Sequence, residues 1–357
     1  MKKVISIFLI VSMILVQMLA FAGCEEKAKA TKFTNRYYDY FDTVTTVIGH
    51  AESQEEFDKV CEEIKTQLNE YHRLFTIYNR YLDLNNMVTI NDVDDGKHNV
   101  VEVDKKIIDM LTFAKEMYDK TNGNVNIAMG SVLKIWHVYR NAGSDDPVHA
   151  ELPPMEALEE AAKHTNIEDL VIDAENNTVF LADPKMTLDV GAIAKGYTVE
   201  LIADYLESKG VTNYILNVGG NVRTIGMDGS EKWKVGIENP DLYDESKPYI
   251  EYLKVSGESI VTSGSYQRFY IVNGENYHHI IDPETLMPGT KYRSVSVITD
   301  DSGLGDAMST ALFLMSYEEG KQLVESTPNV DAMWVMPNGE QRYSSGFGDY
   351  TFEYKQK

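Results

Sequence analysis

Asp306 and Thr310 stand four residues apart in the run Gly303–Ala311, GLGDAMSTA. On a helix that spacing puts a carboxylate and a hydroxyl on one face. Beside a helix N-terminus the pair suits a hard, oxygen-seeking cation such as Mg²⁺. An Asp N-cap followed by an incidental Thr gives the same pattern. Asp189 and Lys195 lie in Leu188–Tyr197, LDVGAIAKGY, a strand running into a helix. The junction offers backbone N–H groups and the positive helix end to an anion. Taken alone, a polar-capped helix with a solvated lysine explains it better. Asn217-Val218-Gly219-Gly220-Asn221 places paired glycines inside an apolar strand, where a ligand can come close or a bulge can form. His278 and His279 are neighbours in a strand and point to opposite faces, so only one can serve a site as base or hydrogen-bond donor. The common motifs are absent: there is no GxxxxGK[ST], HExxH, CxxC or GxSxG, and Met308 stands where a dinucleotide fingerprint needs its third glycine.

The elements that must position these residues follow from periodicity. Phe41–Gly49 is β-rich and starts the fold. Ser53–Asn69 carries Phe57, Val60, Cys61, Ile64 and Leu68 on one helical face, and Val103–Thr121 repeats the pattern before the stop signal Asn122-Gly123. Met155–His164, Ala192–Ser208, Ala307–Met315 and Tyr317–Ser326 read as helices. Val171–Leu188 reads as a broken hairpin, and Tyr214–Gly226, Lys232–Ile237, Ile250–Val261, Phe269–Val272, Val295–Ile298 and Ala332–Pro337 as strands. Strands gathered in the second half, with helices interspersed and no strict βαβ alternation, predict an α+β fold of mixed or antiparallel sheets with helices packed on them.

The 357 residues carry 33 Lys+Arg against 56 Asp+Glu, a net charge of −23. That acidity excludes a general nucleic-acid binder, and a phosphate ligand would need a metal ion or a locally positive pocket. Two cysteines, Cys24 and Cys61, exclude a disulfide framework and four-cysteine metal sites. Lys2 and Lys3 before the apolar stretch Val4–Leu19 read as a secretory signal. Phe21-Ala22-Gly23-Cys24 is similar to a bacterial lipoprotein signal, which gives residues 1–23 as signal peptide, Cys24 as the lipidated N-terminus and residues 24–32 as a polar tether. Cleavage leaves 31 basic against 56 acidic residues, a net charge of −25. Residues 33–357 form one unit without a Pro/Gly/Ser linker, and Cys61 reads as a small buried apolar residue.

In this order, the four segments resemble the ApbE family, the FAD:protein FMN transferases, over most of the chain from about Phe41 onward. Asp189-x-x-Ala192-x-x-Lys195-Gly196-Tyr197 looks like the family's flavin and metal motif, His279-Ile280-Ile281-Asp282-Pro283 like its His-Asp-Pro segment, and Asp306-x-x-x-Thr310 like its metal pair; Asn217–Asn221 and Thr262–Tyr266 match two further segments. Upstream, Phe41-Asp42-Thr43 stands where members often have Met-Gly-Thr, Thr76-Ile77-Tyr78 with Asn86 matches a segment near the flavin, and Gly123–Gly130 matches a glycine-led loop without its frequent Asp and Thr. The resemblance implies a single catalytic unit with a flavin-nucleotide cleft. It implies Mg²⁺ at Ala192, Asp306 and Thr310, and FAD as substrate at Phe41, Tyr78, Ala128, Met129, Gly130, Asp189, Lys195 and Ile280. His279 is the expected base, and Lys195 is expected to hold a phosphate or steady the leaving AMP. The implied reaction moves FMN from FAD to a Thr or Ser hydroxyl of an acceptor flavoprotein. Acceptors carry a Ser/Thr-Gly-Ala-Ser/Thr run, which this chain lacks, so it is expected to modify other proteins on the extracytoplasmic face of the cell membrane. A flavin-binding or FAD-hydrolysing lipoprotein without transfer is the alternative; a solute-binding lipoprotein would show two similar lobes, and no internal similarity is present.

Overall fold

The structure, a computed structural model, describes residues 30–354. Cys24 and the signal segment lie outside the described residues. Numbering along the chain, the centre is an eight-stranded sheet of order β1(Thr31–Tyr40)-β2(Thr43–Ala51)-β6(Tyr214–Val218)-β7(Asn221–Ile225)-β10(Ser259–Gly264)-β13(Ser294–Thr299)-β14(Val330–Val335)-β15(Gln341–Tyr343). Every neighbouring pair is antiparallel. A small sheet joins β3(Val101–Glu102), β5(Thr178–Leu181) and β4(Leu170–Asp173), and two hairpins are β8(Trp233–Glu238) with β9(Tyr249–Val255) and β11(Phe269–Val272) with β12(Glu275–His278). The helices are α1(Gln54–Phe75), α2(Met87–Ile90), α3(Lys105–Lys120), α4(Gly130–Asp145), α5(Met155–Ala162), α6(Ala194–Ser208), α7(Ser302–Leu314) and α8(Tyr317–Ser326). The α+β expectation holds.

The middle strands of the sheet are buried on both faces, and they alternate accordingly. Ala332 and Trp334 join the main core with α1, α3, α6 and α7, while Met333 and Val335 point to a second cluster under the β8–β9 hairpin with Trp233, Leu253 and Phe347. A third cluster, around Trp136, Leu158 and Tyr270, fastens α4 and α5 to the β11–β12 hairpin. The helix starts follow ordinary capping: Ser53 accepts from the Glu56 N–H, and Asp104 from the Lys106 N–H. Cys61 is buried in the main core.

Four sequence expectations change, and one helix had none. Among the described residues the first strand starts at Thr31 rather than Phe41, because Thr31 and Lys32 already pair with Ala51 and His50; these two expected tether residues are strand. Tyr214–Gly226 is two strands, and the paired glycines are their two-residue turn. Gly219 and Gly220 have φ of 56° and 93°, and a Cβ on Gly219 would collide with Thr43. Ile250–Val261 splits at Gly257 into β9 and β10. The helix expected from Ala307 starts at Ser302, capped by Asp301, so Gly303 and Gly305 are helical; Gly305 lets the helix lie against Val261 of β10. Helix α4 had no expectation at all: only Gly130, Val132, Trp136 and Gly143 are buried on it, too sparse a stripe to register as helical periodicity.

Candidate active site

Four backbone junctions meet at one cleft of about 590 Å³. They are the β6–β7 turn, the entry to α6, the second turn of α7 and the segment leaving β12. Asp306 is 4% exposed. It is not a cap: Asp301 does that work one turn earlier. Its Oδ2 accepts the Gly196 N–H at 2.8 Å and lies 3.5 Å from Lys195 Nζ, and its Oδ1 accepts from Asn221 Nδ2 at 3.5 Å. Gly196 is glycine for a steric reason, since a Cβ there would strike the Ser302 carbonyl and Asp306. Because the Gly196 N–H turns to Asp306, it does not close a turn on the Ala192 carbonyl, and α6 begins only at Ala194. Thr310 lies one turn beyond Asp306, its hydroxyl 3.4 Å from that of Ser263, which in turn lies 2.9 Å from Ser309 Oγ.

A buried ion pair seats this corner. Arg223 of β7 pairs with Glu200 of α6 at 3.0 Å, and Glu200 accepts the Ser302 N–H at 2.6 Å, so one carboxylate ties α6, β7 and the start of α7 together. Burial pushes the Glu200 carboxyl up, opposed by Arg223.

The strand expected through both histidines ends at His278, and His279 stands in the bend beyond β12. His278 turns inward: its Nε2–H donates to the Gly289 carbonyl at 2.7 Å, and its Nδ1 accepts the Ile280 N–H. His279 lines the cleft, with its backbone N–H on the Arg268 carbonyl. Its imidazole is lowered to about 3, first by burial and then by the positive charges of Arg268, His278, Lys195 and Arg140. Its Nδ1 is buried without a hydrogen-bond partner among the described residues. Asp282 folds the turn behind it, accepting from the Glu284 and Thr285 N–H groups.

Another part of the cleft lining is built from the side chains of Tyr78, His137 and Asp189. Tyr78 is 59% exposed, with its hydroxyl 3.4 Å from His137 Nδ1. His137 Nε2 is 3.7 Å from Asp189 Oδ2. Asp189 is fixed by its backbone N–H on Ile127 and by Oδ1 on the Gly191 N–H at 2.9 Å. Burial and then Asp189 push the Tyr78 phenol up to about 12, and burial lowers His137 against the pull of Asp189.

Of the expected site residues, Tyr78, Met129, Asp189, Ala192, Lys195, His279, Ile280, Asp306 and Thr310 line this cleft. Phe41, Ala128 and Gly130 stand outside its lining. Phe41 gives its N–H to His72 and packs its ring there, leaving Asp42 and Thr43 on the cleft; Ala128 is in the main core; Gly130 is pressed against the Thr187 carbonyl. The sequence reading missed His137, Arg140 and Arg268. The first two are three apart on the unrecognised α4, beside Trp136, and that spacing was the available signal.

Among the described residues, no group of three or more His, Cys, Asp or Glu side chains could hold a metal ion. The Ala192 carbonyl, the Asp306 carboxylate and the Thr310 hydroxyl form a different kind of set, all oxygen with one charge. It fits a hard cation that keeps several waters or takes oxygens from a phosphate. The carbonyl freed by Gly196 is the structural feature that favours this use.

Comparison with known proteins agrees with the geometry. The ApbE family matches residues 39–334. A protein of Klebsiella pneumoniae (strain 342) named FAD:protein FMN transferase is 32% identical over 283 residues, 76% of this chain and 84% of its own. One of the same name from Treponema pallidum (strain Nichols) is 33% identical over 264 residues, 70% of each chain. The crystal structure of the ApbE protein of Thermotoga maritima superposes with a TM-score of 0.77 at 26% identity, covering 90% of this chain and all of that one. The flavin transferase ApbE of Vibrio cholerae shares the fold, with a TM-score of 0.73 at 23% identity over 90% of this chain and 99% of its own. With the family matched over residues 39–334 and most of its length in common with these proteins, the chain belongs to the ApbE family.

Proposed function

We propose that this chain is an FAD:protein FMN transferase that moves FMN from FAD to a Thr or Ser hydroxyl of an acceptor flavoprotein. The observation that carries the reading is the convergence of Asp306, Lys195 and His279 on one cleft, with the Asp306 carboxylate pinned by a backbone N–H. Phosphoryl transfer depends mainly on positioning and charge neutralisation. The acceptor oxygen forms a bond to the phosphorus of the FMN moiety as the phosphoanhydride bond to AMP breaks. The hydroxyl proton passes to His279, which lines the cleft and is neutral at working pH. Lys195 holds an oxygen of the diphosphate and then the departing AMP. Asp189, His137 and Tyr78 hold the far end of the dinucleotide. Ala192, Asp306 and Thr310 would hold Mg²⁺, which supplies Lewis-acid neutralisation of the diphosphate in a protein of net charge −23.

The Phe21–Cys24 segment supports attachment of Cys24 to lipid and work on the extracytoplasmic face of the bacterial membrane, where acceptors would present a Ser/Thr-Gly-Ala-Ser/Thr run. The protein is to be incubated with FAD, Mg²⁺ and a protein bearing that run. The expected products are an acceptor heavier by one FMN and an equal amount of AMP. Release of FMN with no adduct on several acceptors would make the protein a hydrolase instead.

A further inference from the structure

Asn221 opens β7 directly after the Gly219-Gly220 turn, and it is 2% exposed. A carboxylate can only accept, so the part of the amide facing Asp306 Oδ1 at 3.5 Å is the NH₂ group. This fixes the other end. The amide oxygen is buried, belongs to a residue of the cleft lining, and has no hydrogen-bond partner among the described residues. Its backbone is spent in the sheet opposite Val261, so the side chain cannot withdraw to solvent. Two positions along the same face, Arg223 makes its ion pair with Glu200. That face of β7 is therefore a polar brace against α6 and α7, and only its cleft end is incomplete.

An unpaired buried amide oxygen is costly, so the site requires a hydrogen donor there. A diphosphate offers only acceptors and cannot be that donor. The waters of a bound divalent cation can, because the cation polarises their O–H groups and Mg²⁺ gives up its waters reluctantly. We infer that Asn221 is a positioning residue of the cation site. Its NH₂ group orients Asp306, and its carbonyl oxygen accepts from a water on the cation that Asp306, Thr310 and Ala192 would hold. This inference rests on the cation reading under Proposed function.

Mn²⁺ alone, with its free-ion electron paramagnetic resonance signal, measures cation affinity without turnover. Thermal melting in EDTA checks that each variant is folded. Asp306→Ala is expected to lose Mn²⁺ binding; native-like binding by that variant would overturn the cation reading itself. Asn221→Leu, close in shape but apolar, is expected to bind Mn²⁺ about 10-fold more weakly. Asn221→Asp keeps an acceptor but loses the NH₂ donor to Asp306, and it is expected to bind Mn²⁺ more tightly than Asn221→Leu. If Asp306→Ala loses the ion while Asn221→Leu binds as tightly as native, the inference on Asn221 fails and the cation reading stands. If Asn221→Asp is as weak as Asn221→Leu, an acceptor oxygen at this position does not help to hold the ion and the inference again fails. Asn221→Ala, which makes no steric demand, repeats the comparison should the leucine variant not fold, with the same 10-fold loss expected.

Discussion

The two ends of the cleft are built in different ways. At the Asp306 end the functional groups are held by backbone and one buried ion pair: a Gly196 N–H on the carboxylate, a two-glycine turn before Asn221, and the Arg223–Glu200 pair, whose carboxylate also accepts the Ser302 N–H at the start of α7. At the Tyr78 end the groups are long side chains on a loop and on α4, touching at 3.4 and 3.7 Å. The first arrangement costs little reorganisation when charge develops, which is what a phosphoryl-transfer site needs. The second can adjust to a large planar ligand, which is a binding task. The difference teaches that turnover should belong to one end and substrate affinity to the other.

The largest effect should come from Asp306→Ala. Loss of the central carboxylate is expected to lower kcat about 10³-fold with the fold intact by circular dichroism. A loss confined to KM would erase the contrast between the ends. His279→Ala is expected to lower kcat about 10²-fold. The pH profile sharpens this assignment. His279 is lowered to about 3, so it is neutral and able to accept a proton at any pH above that value. The acid limb of kcat/KM should therefore fall well below 6.5, the ordinary imidazole value. Arg268 is one of the charges that lowers it, so Arg268→Gln should move that limb upward. A limb near 6.5 in the native protein would remove His279 as the base.

Gly196→Ala tests whether backbone packing sets the rigid end. The added methyl would meet the Ser302 carbonyl and the Cβ of Asp306, forcing α6 from α7. A destabilisation of about 1–3 kcal/mol in urea unfolding is expected, with a loss of kcat larger than any change in KM. Tyr78→Ala should give the smallest effect, about a 10-fold rise in KM for FAD and little change in kcat, as the loss of one aromatic contact implies.

The same contrast decides how much was legible in the sequence. The rigid end is written in short contiguous runs, because backbone geometry needs particular residues next to one another. Gly196 must follow Lys195 to reach Asp306, and Gly219-Gly220 must precede Asn221. The core helices α1 and α3 also declared themselves, since each buries a regular stripe. The flexible end is assembled by tertiary packing from distant loops, so Phe41, Ala128 and Gly130 fell next to the cleft instead of on it. Helix α4, carrying His137 and Arg140, packs on a small satellite core through a few residues, and its periodicity is too thin to read. Strand β1 was hidden because its exposed, polar positions resemble a tether until β2 pairs with it.

One measurement tests the division of labour directly. Single-turnover transfer of FMN to an acceptor protein is followed by intact-protein mass spectrometry at saturating FAD and Mg²⁺. Native protein, Asp306→Ala and Tyr78→Ala are compared side by side. The expected result is adduct formation by Tyr78→Ala within about 3-fold of native and no adduct from Asp306→Ala. Adduct formation by Asp306→Ala at the native rate, or its loss in Tyr78→Ala at saturation, would contradict it.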